Sequence, residues 1–134
     1  MIKAVIDTNV FLSAIFWGGK PKEVIRLIIS KRIIGVTSPA ILEEIENKLI
    51  QKFNYPTAQT NAYLELIIEN FQVVNPNLKV DAVEDPKDNK IIEAAIEAGA
   101  DCIITGDKHL LKINGYEGIE IVTPNEFLRK SFCI

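Results

Sequence analysis

Residues 85–111 read DPKDNKIIEAAIEAGADCIITGDKHLL, and the order of signals within them decides the fold class. Asp85 followed by Pro86 predicts an N-cap and a first-turn proline, with a helix running to about Ala98 and Gly99 supplying a left-handed stop. Asp88 therefore falls in the first helical turn. Cys102 to Thr105 is a short, mostly β-branched run that predicts a strand, and Gly106 and Asp107 stand where that strand ends. One helix–strand unit thus carries an aspartate at its helical start and another at its strand end.

The chain begins with the same device. Residues 2–6 are an apolar run that stops at Asp7, followed by Thr8 and Asn9. Chemistry in open α/β sheets collects outside the carboxyl ends of the strands, so two strand-end aspartates predict a common crevice.

Between these two units strands and helices alternate. The Gly18–Gly19 pair predicts a loop after the apolar residues 10–17, and Pro21 opens a helix whose Val24, Ile25, Leu27, Ile28 and Ile29 form a broad apolar face. Residues 33–37 read as a strand, and Ser38 with Pro39 starts a helix whose core stripe is Ile41, Leu42, Ile45, Leu49 and Phe53. On that helix Glu43 lies opposite the stripe, while Glu44 and Glu46 border it on either side, a choice that periodicity leaves open. Pro56 and Thr57 open a helix with Tyr63, Leu64, Ile67, Ile68 and Phe71 expected inside. Residues 72–74 read as a short strand and 75–84 as a loop, and after Asn114–Gly115 come a strand at 119–123 and a helix from Pro124 to about Lys130. The economical architecture is α/β: a parallel sheet with right-handed crossovers and helices on both faces.

Composition narrows the function. At 134 residues, 48% apolar and 25% charged, the chain fits one globular domain. No apolar run has the length of a membrane span and no basic segment precedes the first apolar stretch, so a cytoplasmic protein is expected. Cys102 and Cys133 read as plain thiols, and a single histidine, His109, argues against zinc. A metal here would be held by oxygen. The net charge of −3 counts against gripping nucleic acid by charge alone but permits a nuclease, because a bound divalent cation presents positive charge to phosphate.

Asp7-Thr8-Asn9 after an apolar strand, then SPAILEEIENKL (38–49), DPKDNKIIEAAIEAGAD (85–101), TGDKHLL (105–111) and TPNEFL (123–128) together resemble PIN domains, and more narrowly the toxins of prokaryotic toxin–antitoxin pairs. The resemblance spans residues 2–128, within a single domain over 1–134 with a short tail at 129–134. It implies a parallel sheet of about five strands and a metal-dependent endoribonuclease with one or two Mg²⁺ or Mn²⁺ ions. Its acidic set falls on Asp7, Glu44, Asp88 and Asp107, choosing Glu44 over its neighbours, with Asn9 and Thr105 lining the same pocket. It also implies an antitoxin partner and a homodimer, the latter favoured as well by the broad apolar helix faces. Lys20, Lys22, Lys87, Lys90 and Lys108 lie near the site ends of their elements and could meet RNA phosphates.

Phosphodiester hydrolysis needs an activated water and charge neutralisation, which Mg²⁺ or Mn²⁺ on hard oxygen ligands can supply. In that scheme Asp7 is the central ligand, Asp88 and Asp107 complete the shell, and Glu44 binds a second ion or orients water. Each residue also has a plainer reading. Asp88 suits a helix N-terminus, Glu44 can pair with Lys48 four residues on, and Asp107 can serve as a turn residue. His109 reads as an exposed residue after the site loop, and Phe16 and Trp17 as packing or interface residues before base-stacking ones. A haloacid-dehalogenase-type phosphatase fits poorly, because the second aspartate it needs is Asn9 here. A non-catalytic RNA- or protein-binding module is the main alternative.

Overall fold

Five short strands carry much of the chain's most apolar sequence into one sheet. β1 (Lys3–Ile6), β2 (Ile34–Thr37), β3 (Gln72–Val73), β4 (Cys102–Ile104) and β5 (Glu120–Val122) are all parallel and lie in the order β3-β2-β1-β4-β5. The computed structural model describes residues 1–131, so Cys133 lies outside the described residues. Ala4, Val5, Ile6, Ile103 and Ile104 are wholly buried, as strands covered by helices on both faces must be. The helices are α1 (Thr8–Phe16), α2 (Gly19–Ile29), α3 (Pro39–Asn47), α4 (Thr57–Asn70), α5 (Pro86–Ala98), α6 (Lys108–Ile113) and α7 (Pro124–Ser131).

The helix boundaries follow local chemistry. The Ser38 side chain accepts a hydrogen bond from the Ile41 N–H with Pro39 in the first turn, and the Asp85 side chain accepts from the Lys87 N–H at 2.9 Å with Pro86 next to it. Gly99 ends α5 in the left-handed region at φ 63°, a conformation that glycine adopts without a Cβ penalty. A different glycine is required by space. A Cβ on Gly35 would stand 2.6 Å from the Phe71 ring and 2.8 Å from Ile28 Cδ1, so the absence of a side chain lets Phe71 and Ile28 close on β2.

The sheet order puts the site where it is. The chain leaves β1 to build β2 and β3 on one side, then returns across the sheet to lay β4 against the other side of β1. The carboxyl ends of β1 and β4 form the topological switch point, at which crevices open in such sheets. There the Asp7 N–H donates to the Ile104 carbonyl at 3.0 Å, joining the two strand ends.

Three expectations from the sequence change. Phe53 leaves the core stripe of α3 and is 38% exposed, because the helix continues as a π-helical turn over Lys48–Lys52 in which the Phe53 N–H donates to the Lys48 carbonyl. The i+5 spacing of that turn breaks the 3.6-residue register. Ile68 is 53% exposed, since α4 buries a narrow edge centred on Ile67 and the next residue lies about 100° further round. Residues 108–113 form α6, a helix too short for periodicity to reveal. As expected, α7 runs from Pro124 to the end of the described residues at Ser131.

Candidate active site

Asp7 ends β1 and precedes α1, and its carboxylate is 5% exposed. Thr105, wholly buried at the end of β4, donates its Oγ1 proton to Asp7 Oδ2 at 2.7 Å and accepts from the Asp107 N–H at 2.9 Å. One hydroxyl therefore fixes the distance between two strand-end aspartates. Burial pushes the Asp7 carboxyl above its ordinary value, opposed by the hydrogen bonds from Thr105 and the Thr8 backbone and reinforced by the charges of Glu44 and Asp107.

Asp88 stands in the first turn of α5, 7% exposed. The cap of this helix is supplied by Asp85, which leaves the Asp88 carboxyl to face Asp107. Burial, a hydrogen bond with Asp107 and the charges of Asp107, Asp7 and Asp85 together push Asp88 up to about 7. Asp107 itself also caps α6, with Oδ1 accepting from the His109 N–H at 2.9 Å. His109 is exposed, as its place in the sequence suggested.

Glu44 reaches the same crevice from α3. It is the glutamate whose charge acts on Asp7, while Glu43 is exposed. The plainer reading of Glu44 is also realised, for Lys48 Nζ lies 3.1 Å from Glu44 Oε1 and donates to Asn9 Oδ1 at 3.1 Å. Of the lysines expected near phosphates, Lys20 pairs with Glu23 and Lys90 with the buried Glu93, whereas Lys87 borders the crevice.

The four acids thus share one electrostatic neighbourhood without forming a finished ligand shell. Among the described residues no three acidic, histidine or cysteine side chains already converge on one point, and Glu44 is paired with Lys48. The donor chemistry nonetheless fits a hard divalent cation. All the groups are oxygen ligands, and the like charges that add to the effect of burial on Asp7 and Asp88 are ones a cation would offset.

Two openings flank these acids. A cavity of about 680 Å³ is bordered by Glu84, Asp85, Asp88, His109 and Lys112, and a second of about 470 Å³ by Glu43, Glu44, Lys48, Lys52 and Lys87. The wall of the first is held by residues that sequence reading passed over. Asn89 accepts from the Ala82 and Val83 N–H groups at 3.0 Å each and donates to the Val83 carbonyl at 2.9 Å, and Glu93 accepts from the Val80 N–H at 2.9 Å. Both are buried. Polar residues four apart on the inward side of α5 were the available signal.

Two predictions arise from this geometry. Thr105→Val leaves Asp7 and the Asp107 N–H each short of a partner and is expected to remove about 1–3 kcal/mol of stability, read from urea unfolding, with Thr105→Ser restoring most of it. Stability should also depend on Asp88. Its folded pKa lies above the unfolded value, so the stabilising proton is fully present below about 4 and is lost as pH rises through about 7. In chelator, the melting temperature should fall between about pH 4 and pH 7 and the fall should shrink in Asp88→Asn; a flat wild-type profile would contradict the coupling.

The chain is similar to known proteins over most of its length. A model of the PIN domain matches residues 3–109. The uncharacterized protein MJ1680 of Methanocaldococcus jannaschii is 38% identical over 96% of this chain and 91% of its own length. The fold is similar to the solved structure of VapBC2 from Rickettsia felis bound to a promoter DNA fragment, with a TM-score of 0.64 at 14% identity, over 90% of this chain and 97% of that one. It is similar also to VapBC-1 from nontypeable Haemophilus influenzae, with a TM-score of 0.60 at 18% identity, over 92% and 99%.

Proposed function

The chain belongs to the PIN domain family, and from its acidic crevice we propose that it is a divalent-metal-dependent endoribonuclease, the toxin component of a toxin–antitoxin pair. The observation that carries this reading is the gathering of Asp7, Asp88, Asp107 and Glu44 at the β1–β4 switch point, with the Asp7 and Asp88 carboxyls raised first by burial and further by the charges around them. Charges are not crowded in a protein without a counter-charge to receive them.

In this reading Asp7, Asp88 and Asp107 hold an Mg²⁺ or Mn²⁺ ion, and Glu44 orients water or holds a second ion. When bound, the metal supplies a water of lowered pKa and neutralises the phosphate. The chain's own residues prepare that site. Thr105 sets the spacing of Asp7 and Asp107, Asn9 anchors Lys48 beside Glu44, and Asp88 faces Asp107 from the first turn of α5.

The test is cleavage of end-labelled single-stranded RNA with Mn²⁺ or Mg²⁺, beside a chelator control and folded Asp7→Asn protein. Cutting by the wild type with both controls silent supports the proposal; equal behaviour of wild type and variant would remove it. The Lys48–Glu44 contact favours one second reading, a non-catalytic module in which lysine is the permanent counter-ion. Tight metal binding without cleavage of any RNA would support that module. We further infer a homodimer through exposed apolar residues such as Leu66 and Ile68 of α4, which light scattering showing monomer at micromolar concentration would exclude, and an antitoxin segment that fills the acidic crevice.

A further inference from the structure

The chain's single tryptophan, Trp17, is 75% exposed at the end of α1. It is not isolated. Its ring meets Phe16 edge-on at 5.7 Å, Phe16 lies 4.8 Å from Phe53, and Lys52 Nζ stands 5.6 Å over the Phe53 ring. Lys52 in turn borders the 470 Å³ cavity that also touches Lys48, Lys87 and Glu44. An uninterrupted row of side chains therefore leads from the acidic crevice, through lysines, to an exposed aromatic platform.

The charges along that row point to its occupant. Three lysines face two glutamates in the cavity wall, in a protein whose net charge is −3. Lys48 is engaged with Glu44, but among the described residues no carboxylate lies within ion-pairing distance of Lys52 or Lys87. Unpaired ammonium groups beside exposed aromatic rings offer phosphate neutralisation and base stacking together, the combination that receives a single nucleic-acid strand. From Asn9 at the crevice to Phe16 is seven residues of helix, or about 10 Å, the rise of about three stacked nucleotides. The π-helical turn creates this platform, since it takes Phe53 out of the core and turns it to Phe16.

We propose that Trp17 and Phe53, with Lys52 and Lys87, form a subsite for the flanking nucleotides of a single RNA strand whose scissile phosphate lies at the carboxylates. This rests on the nuclease reading for the position of the phosphate, and its test separates the two. A ten-nucleotide, unstructured, single-stranded RNA is titrated into Asp7→Asn protein while the Trp17 emission is followed, with the same sequence as a duplex for comparison. The expected result is saturable quenching by the single strand, little by the duplex, and binding weakened about 10-fold in Asp7→Asn/Lys52→Ala, which keeps the reporting tryptophan. Absence of quenching while the wild type still cuts RNA overturns the subsite and leaves the nuclease. Quenching without any cutting by the wild type upholds the subsite and removes the nuclease. Emission that changes with protein concentration in the absence of RNA, together with a dimer lost in Trp17→Ala, overturns the proposal in favour of contact between two copies of the chain.

Discussion

Asp7→Asn is expected to reduce RNA cleavage at least about 100-fold, the scale on which loss of one preorganised electrostatic group slows an enzyme, without loosening the fold. The substitution keeps the shape of the side chain, and the amide carbonyl can still accept from Thr105 Oγ1, which donates to Asp7 Oδ2 at 2.7 Å in the native chain. It removes a buried negative charge whose carboxyl is raised by burial and by Glu44 and Asp107. The melting temperature should therefore hold or rise while activity disappears. The two readouts together are diagnostic, because a variant that failed through misfolding would lose both. Wild-type cleavage by the variant would end the assignment of Asp7 as the central ligand.

Phe11→Ala should produce the largest loss of stability, about 3–5 kcal/mol. Phe11 is wholly buried on α1, and its ring lies 5.3 Å from that of Phe71 at a tilt of 45°. Phe71 is itself seated against the bare backbone of Gly35, so removing Phe11 opens a hole that a neighbour already pressed on the sheet cannot readily fill. For a chain of this length the melting temperature should fall by roughly 10–20 °C. A loss below about 1 kcal/mol would mean that α1 does not pack as described. Because Asp7 is the residue from which α1 departs, a milder change such as Phe11→Leu should disturb the site through the same helix, seen as a weaker response of stability to added Mn²⁺.

The elements with strong local signals were legible in advance. The proline start and glycine stop of α5, the apolar runs of β1 and β4 and the alternation of strands and helices depend on neighbours a few residues apart, and they led to the parallel architecture. Asp7, Asp88 and Asp107 stand at the strand ends and helix start that the sequence indicated, while Glu44, inside α3, was singled out by family resemblance alone. What they do to one another was not. That Asp88 leaves capping to Asp85 and shares a hydrogen bond with Asp107, that Lys48 spans Glu44 and Asn9, and that Asn89 holds the loop over the larger cavity all depend on side chains brought together across the fold.

The sequence by itself determined the class of fold and the strand ends at which Asp7 and Asp107 stand, because each follows from local propensity. Only the tertiary structure decided which charges are raised, which lysines are unpaired and why Phe53 faces outward. Those properties arise from desolvation, distance and a π-helical turn, and none of the three has a period or a motif that can be read along the chain.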